Sequence, residues 1–217
     1  TARVDVVRVD ALVTAGGTAV HGLTAADFEV RDNGVVQQVD LLDTERLPVN
    51  AILALDMSGS VAGDRLAHLR AAGRALLNAL RKDDRAALVS FSHVVALGSG
   101  LTSDLDRVRE ALDRAQPSGN TSLLDASYAG LILGESDAGR GLMIAFSDGL
   151  DTASWLTPDQ VLDTGKRSDV VVYGVSMAGE AKATFLRDLG AATGGSLIEI
   201  GSTQDLAAEF VRVLTGM

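Results

Sequence analysis

At 217 residues, 47% hydrophobic and 22% charged, the chain can bury one full core with a small appendage, and its net charge of −10 argues against a nucleic-acid partner, whose capture rests on clustered Lys and Arg. It has no cysteine, which excludes disulfides, thiolate metal sites and cysteine nucleophiles together. No apolar run approaches the ~20 residues of a membrane-spanning helix, and Thr1 in place of an initiator Met is read as a trimmed leader or neighbouring region.

Residues 1–47 predict β structure. Val7, Val9, Ala11 and Val13 alternate with Arg8, Asp10, Leu12 and Thr14 at the strand period of two. A second strand is expected at Phe28 to Arg31, and Asp32-Asn33-Gly34 supplies the positive-φ residues of a tight hairpin, with Val35 to Leu42 returning as partner. So little β structure hardly makes a core alone, so this segment is expected to pack on the main domain or to borrow a strand. Pro48 marks the junction with a second domain over 48–217.

From Val49 onward strand and helix alternate, which predicts an α/β fold: a doubly wound, mostly parallel sheet with helices on both faces, carrying a small N-terminal β appendage. Helices are expected at about 62–82, 104–115, 123–133, 158–167, 181–192 and 203–215. Strands are expected at 85–92, 141–146, 169–176 and 196–200, with a short antiparallel edge strand from Val94 to Leu97.

The first strand of this series organises the rest. Ala51-Ile52-Leu53-Ala54-Leu55 is an apolar run suited to a strand covered on both faces, and it stops at Asp56-Met57-Ser58-Gly59-Ser60. In open α/β sheets that end of a strand is where ligands bind. Two further loops carry hard oxygen donors: Thr121 follows Pro117-Ser118-Gly119-Asn120, and Asp148 ends the strand from Gly141 to Phe146. Hydroxyls of Ser58, Ser60 and Thr121 with carboxylates of Asp56 and Asp148 suit a hard divalent cation, Mg²⁺ first, with Mn²⁺ or Ca²⁺ as alternatives. Hydroxyl donors are neutral, so such a cation keeps much of its charge and stays attractive to an outside anion, for which an Asp or Glu of a protein partner is the natural candidate. Taken singly, each element also has a plainer role: Ser58 or Ser60 and Thr121 as helix caps, Asp148-Gly149 as an ordinary turn.

Together, Asp56-x-Ser58-x-Ser60 after an apolar strand, Gly119-Asn120-Thr121-Ser122-Leu123-x-Asp125-Ala126 and Phe146-Ser147-Asp148-Gly149-x-Asp151-Thr152 resemble a von Willebrand factor A domain. The resemblance covers roughly residues 49 to 215 and is supported by Leu186-Arg187-Asp188-Leu189 with Ala192-Thr193-Gly194-Gly195, similar to the end of many bacterial members. It implies a metal-ion-dependent adhesion site made by Asp56, Ser58, Ser60, Thr121 and Asp148, and a strand order of 3-2-1-4-5-6. Leu23-Thr24-Ala25-Ala26-Asp27-Phe28 followed by Asp32-Asn33-Gly34 is similar to β extensions preceding this domain in some bacterial exported proteins, which hints at a secreted, periplasmic or cell-surface location.

Other chemistry finds less support. His21, His68 and His93 are expected on the surface, no Gly-x-Ser-x-Gly elbow is present for a hydrolase, and no Gly-x-Gly-x-x-Gly or phosphate-binding loop follows a strand. Arg70, Arg74 and Arg81 are expected to form a solvated helix face. Trp155, with Leu150 and Leu156, is either an apolar rim beside the metal or packs against the sheet edge or the next helix. The expectation is a binding module, not an enzyme, that captures an acidic residue of a protein partner through a metal. The alternative is a cytoplasmic regulatory or assembly subunit that uses the same site to shift its last helix.

Overall fold

Strand β5, Val49–Asp56, is buried along its whole length, and its alternating side chains enter two different cores. Ala51, Leu53 and Leu55 face one, Ile52 and Ala54 the other, which is why the sequence shows a continuous apolar run here and not an alternation. Burying each Leu or Ile contributes roughly 1.5–3 kcal/mol, so this strand is the natural spine of the molecule. In this computed structural model the described residues are 13–15, 18–20, 22–39, 47–135, 139–148, 150–178 and 183–216. The chain divides into two compact units between Arg46 and Leu47.

In the larger unit β5 is followed by α1 (Asp64–Ala79), β6 (Arg85–Phe91), β7 (Val95–Thr102), α2 (Leu105–Arg114), α3 (Leu123–Gly134), β8 (Arg140–Phe146), α4 (Pro158–Gly165), β9 (Val170–Met177), α5 (Thr184–Ala192), β10 (Ser196–Ile200) and α6 (Leu206–Thr215). The six strands form one sheet in the order β7-β6-β5-β8-β9-β10, parallel throughout except for the antiparallel β6–β7 pair. In order of appearance that is 3-2-1-4-5-6, as expected. Helices α1, α2 and α6 supply Leu69, Leu112 and Phe210 to one core, and α3, α4 and α5 supply Leu131, Val161 and Leu189 to the other.

Three differences from the sequence reading have local causes. Edge strand β7 runs to Thr102 and not Leu97, because a register shift against β6 accommodates Gly98, Ser99 and Gly100, which had hidden the strand signal. Helix α1 is shorter than 62–82: it starts after Gly63, at φ +75°, and the Asp84 carboxylate ends the following turn by accepting from the Arg81 N–H at 2.7 Å. Arg70 is not merely solvated. Its guanidinium donates to the carbonyls of Asp113 at 2.8 Å and Ala115 at 2.7 Å, groups that the end of α2 leaves without helical partners.

In the smaller unit β1 (Thr14–Ala15) pairs with β2 (Thr18–Ala19), and β3 (Val30–Asp32) pairs with β4 (Val35–Gln37), both antiparallel. The expected hairpin is present, with Asn33 at φ +46° and Gly34 at φ +84° closing the turn. The expected strand over Val7 to Val13 lies outside the described residues apart from Val13, as does the expected return strand from residue 40.

Candidate metal centre

Strands β5 and β8 are parallel neighbours with Leu55 beside Phe146, so the loops that leave their C-terminal ends emerge side by side. Asp56 is fully buried. Its Oδ1 accepts from the Ser58 N–H at 2.8 Å and its Oδ2 from the Ser147 hydroxyl at 2.7 Å. Burial pushes the Asp56 carboxyl above its ordinary value; the donors Ser147 and Ser58 oppose this, and the negative charge of Asp148 adds to it.

From Ser58 a chain of polar contacts runs across the two loops. Ser58 Oγ lies 3.0 Å from Ser60 Oγ, and Ser60 Oγ donates to Asp148 Oδ1 at 2.7 Å. The side chain of Asp148 has no exposed surface, and its other oxygen, Oδ2, accepts from a guanidinium N–H of Arg65 at 2.6 Å. Because Ser60 gives its single proton to Asp148, Ser58 is the donor in the Ser58–Ser60 contact, and one lone pair of the Ser60 oxygen remains for a cation.

The loop carrying Thr121 is sewn to the first one by backbone. Ser118 N–H donates to Met57 C=O at 2.8 Å and Gly59 N–H to Gly119 C=O at 3.1 Å. Gly119 sits at φ +65°, and a Cβ there would overlap the His93 ring, so the loop passes where only glycine fits. Thr121 is buried, and its carbonyl accepts from the Thr152 and Ala153 N–H groups at 2.8 and 3.0 Å, which ties it to the segment beyond Asp148.

The five residues singled out from sequence are therefore brought together at one end of the sheet: Ser58, Ser60 and Asp148 in one hydrogen-bonded chain, Asp56 through Ser58 and Ser147, and Thr121 through backbone. Helix capping does not account for the hydroxyls. Ser58 precedes the 3-10 turn Gly59–Val61 without a side-chain cap bond, and Ser122, not Thr121, stands at the N-cap of α3. Among the described residues no group of three or more His, Cys, Asp or Glu could hold a metal, so any metal here relies on hydroxyl oxygens beside the two carboxylates. That donor set fits a hard divalent cation of the Mg²⁺ class.

Several participants had no assigned role in the sequence. Asp125 accepts from the N–H groups of Trp155 and Leu156 at 3.0 and 2.9 Å, and Asp151 accepts from the Leu124 N–H at 3.2 Å, so two carboxylates pin the segment after Asp148 to α3. Arg65 carried one readable signal: a cation in the first turn of a helix opposes the helix dipole, which invites another reason for its place. Trp155 is 94% exposed and Leu150 51%, so Trp155 does not pack against the sheet edge. His93 is exposed as expected, whereas His68 is half-buried, with Nδ1 2.8 Å from the Thr203 hydroxyl.

A family model described as the von Willebrand factor type A domain matches residues 51–150, the span that holds all five candidate residues. The chain carries a von Willebrand factor type A domain. It is 23% identical over 201 residues to inter-alpha-trypsin inhibitor heavy chain H2 of Mus musculus, covering 85% of this chain and 21% of that protein. A match of 31% identity over 98 residues, 44% of this chain and 22% of the relative, is to an uncharacterised protein of Synechocystis sp.. The chain thus spans about a fifth of the length of these curated relatives. Among solved structures, a von Willebrand factor type A protein from Catenulispora acidiphila superposes with a TM-score of 0.70 at 17% identity, over 79% of this chain and 43% of that one. The vWF domain of the type V pili tip protein Mfa5 from Porphyromonas gingivalis gives 0.62 at 14% identity, over 78% and 94%. Both likenesses speak to fold. Von Willebrand factor type A domains generally mediate protein–protein interactions or adhesion, and homologues such as the inhibitor heavy chain are generally non-enzymatic. Among the described residues no helix is long and apolar enough to cross a membrane.

Proposed function

We propose that this domain binds a divalent cation, Mg²⁺ in the first instance, and through it an Asp or Glu side chain of a protein partner. Ser58, Ser60 and Thr121 would hold the cation with neutral oxygens, while Asp56 and Asp148 supply the negative charge. When bound, the cation would offer a Lewis-acidic position to an external carboxylate. The observation that carries this reading is the hydrogen-bonded chain Ser58–Ser60–Asp148 beside the fully buried Asp56, a convergence of hydroxyls and carboxylates that capping leaves unexplained. Exposed Trp155 and Leu150 follow Asp148 in the same loop region and would add an apolar rim for the partner. A cell-surface or otherwise exported setting suits an adhesion role, and the likeness to a pilus tip domain supports it.

The regulatory alternative has one observation in its favour. The His68–Thr203 contact joins α1, the helix after the first site loop, to the turn that leads into α6. Titration calorimetry with Mg²⁺ on the wild type and on Ser58→Ala tests the reading. Saturable binding lost in the variant is expected; equal affinity in both would overturn it.

A further inference from the structure

Asp148 is buried with both of its oxygens engaged, one by the Ser60 hydroxyl at 2.7 Å and the other by Arg65 at 2.6 Å. The Arg65 side chain is 46% exposed while that of Asp148 is 0%, so the guanidinium reaches in from the mouth of the site to a carboxylate that water does not reach. The same guanidinium nitrogen lies 3.4 Å from the Ser60 carbonyl, which aims it across the first loop. No other ion pair is made by Asp148, and none by Asp56, among the described residues.

Two carboxylates converge in this site, and among the described residues a single internal cation answers them. A buried charge without a partner is strongly unfavourable, so Arg65 meets a need that exists whenever no metal is bound. A divalent cation would meet the same need at the same carboxylate, and two cations at one carboxylate repel. Arg65 also sits in the first turn of α1, where the helix dipole disfavours it, so its position is explained by Asp148 and not by the helix.

We propose that Arg65 is the built-in competitor of the metal at this site: its guanidinium neutralises Asp148 in the metal-free domain and is displaced from it when a divalent cation is held. This rests on the metal-binding reading above. Its consequence is that affinity for the cation is held below what the oxygen donors alone would give, and that loading the site sets free a guanidinium at its mouth.

The test compares Mg²⁺ and Mn²⁺ binding by titration calorimetry for the wild type, Arg65→Ala and Arg65→Gln, with thermal midpoints in EDTA. Half-exposed ion pairs have modest strength, so both variants are expected to bind the cations about three- to tenfold more tightly than wild type. Their midpoints in EDTA should fall, widening the gap between the metal-free and metal-loaded forms. A merely structural Arg65 would have the opposite sign, since loosening the loop would weaken metal binding. Equal or weaker affinity in both variants overturns the competitor role and leaves the metal site standing. Absence of Mg²⁺ and Mn²⁺ binding in all three proteins overturns the metal site and the competitor role together.

Discussion

The two carboxylate loops at the ends of β5 and β8 do the same job of burying an acid beside a sheet, but they support it in opposite ways. Asp56 is held by a backbone amide and a serine hydroxyl, dipoles with no full charge, and burial raises its pKa. Asp148 is held by a hydroxyl and a guanidinium. Among the described residues, Asp148 has a countercharge and Asp56 has none. The asymmetry teaches that, among the described residues, this end of the sheet carries more negative than positive charge, a balance that a bound cation would redress.

The largest expected effect comes from breaking the chain of donors that joins the two loops. Ser58→Ala and Asp148→Ala should each abolish stabilisation by Mg²⁺, which for the wild type at 100 times its dissociation constant amounts to ~2.7 kcal/mol, read as the shift in thermal midpoint between EDTA and excess metal. A full shift in either variant would show that these two loops do not hold the metal.

Next comes the support of the Asp148 side. Asp125→Ala leaves the Trp155 and Leu156 amides without their acceptor and should lower stability by about 1–3 kcal/mol in urea unfolding. Unchanged stability would mean that water replaces the carboxylate and that the segment after Asp148 needs no staple.

Asp56→Asn sharpens the contrast through pH. A folded pKa raised above the ordinary 3.8 means that the folded state binds the proton more tightly than the unfolded chain, so ionised Asp56 opposes folding. In metal-free protein the penalty is present above the raised pKa and is relieved as the pH falls through it towards 3.8. The Asn variant should therefore gain on wild type at neutral pH in EDTA, with the gain fading on acidification, while losing its response to Mg²⁺. Denaturant midpoints against pH check this; a deficit for Asn that grows with pH would contradict the sign.

The smallest effect on stability belongs to Trp155→Ala. With 94% of the residue exposed, unfolding free energy should change by no more than about 0.5 kcal/mol, and metal affinity should stay as in wild type. Only affinity for a protein partner should fall. A destabilisation above 2 kcal/mol by urea unfolding would show that the indole packs in solution.

Much of this was legible in the sequence for physical reasons that differ by element. Strand β5 announces itself because burial on both faces removes polar residues from the whole run, and the turn chemistry of Asn33-Gly34 fixes the hairpin because few residues accept positive φ. Asp56, Ser58, Ser60, Thr121 and Asp148 stand out in the sequence as candidates because each falls at the end of a strand or the start of a helix. The sequence shows strand β7 only as far as Leu97 because Gly98 and Gly100 mimic a turn, while in the sheet Gly98 lies against Leu88 at an irregular register. Arg65 could not be paired from sequence: its partner lies 83 residues away, and no local pattern links the first turn of α1 to Asp148. The staples Asp125 and Asp151 were visible as letters in a motif, but their function is to accept amide hydrogens of a distant loop, which periodicity does not encode.

The most direct measurement is the thermal midpoint of the wild-type domain in EDTA against excess Mg²⁺, repeated with Mn²⁺ and Ca²⁺ and on Asp148→Ala. A rise with metal that is absent in the variant is the predicted result. An equal rise in both proteins, or no binding of any of the three ions to the wild type when the same samples are titrated calorimetrically, would contradict the assignment of a divalent-cation site to these loops.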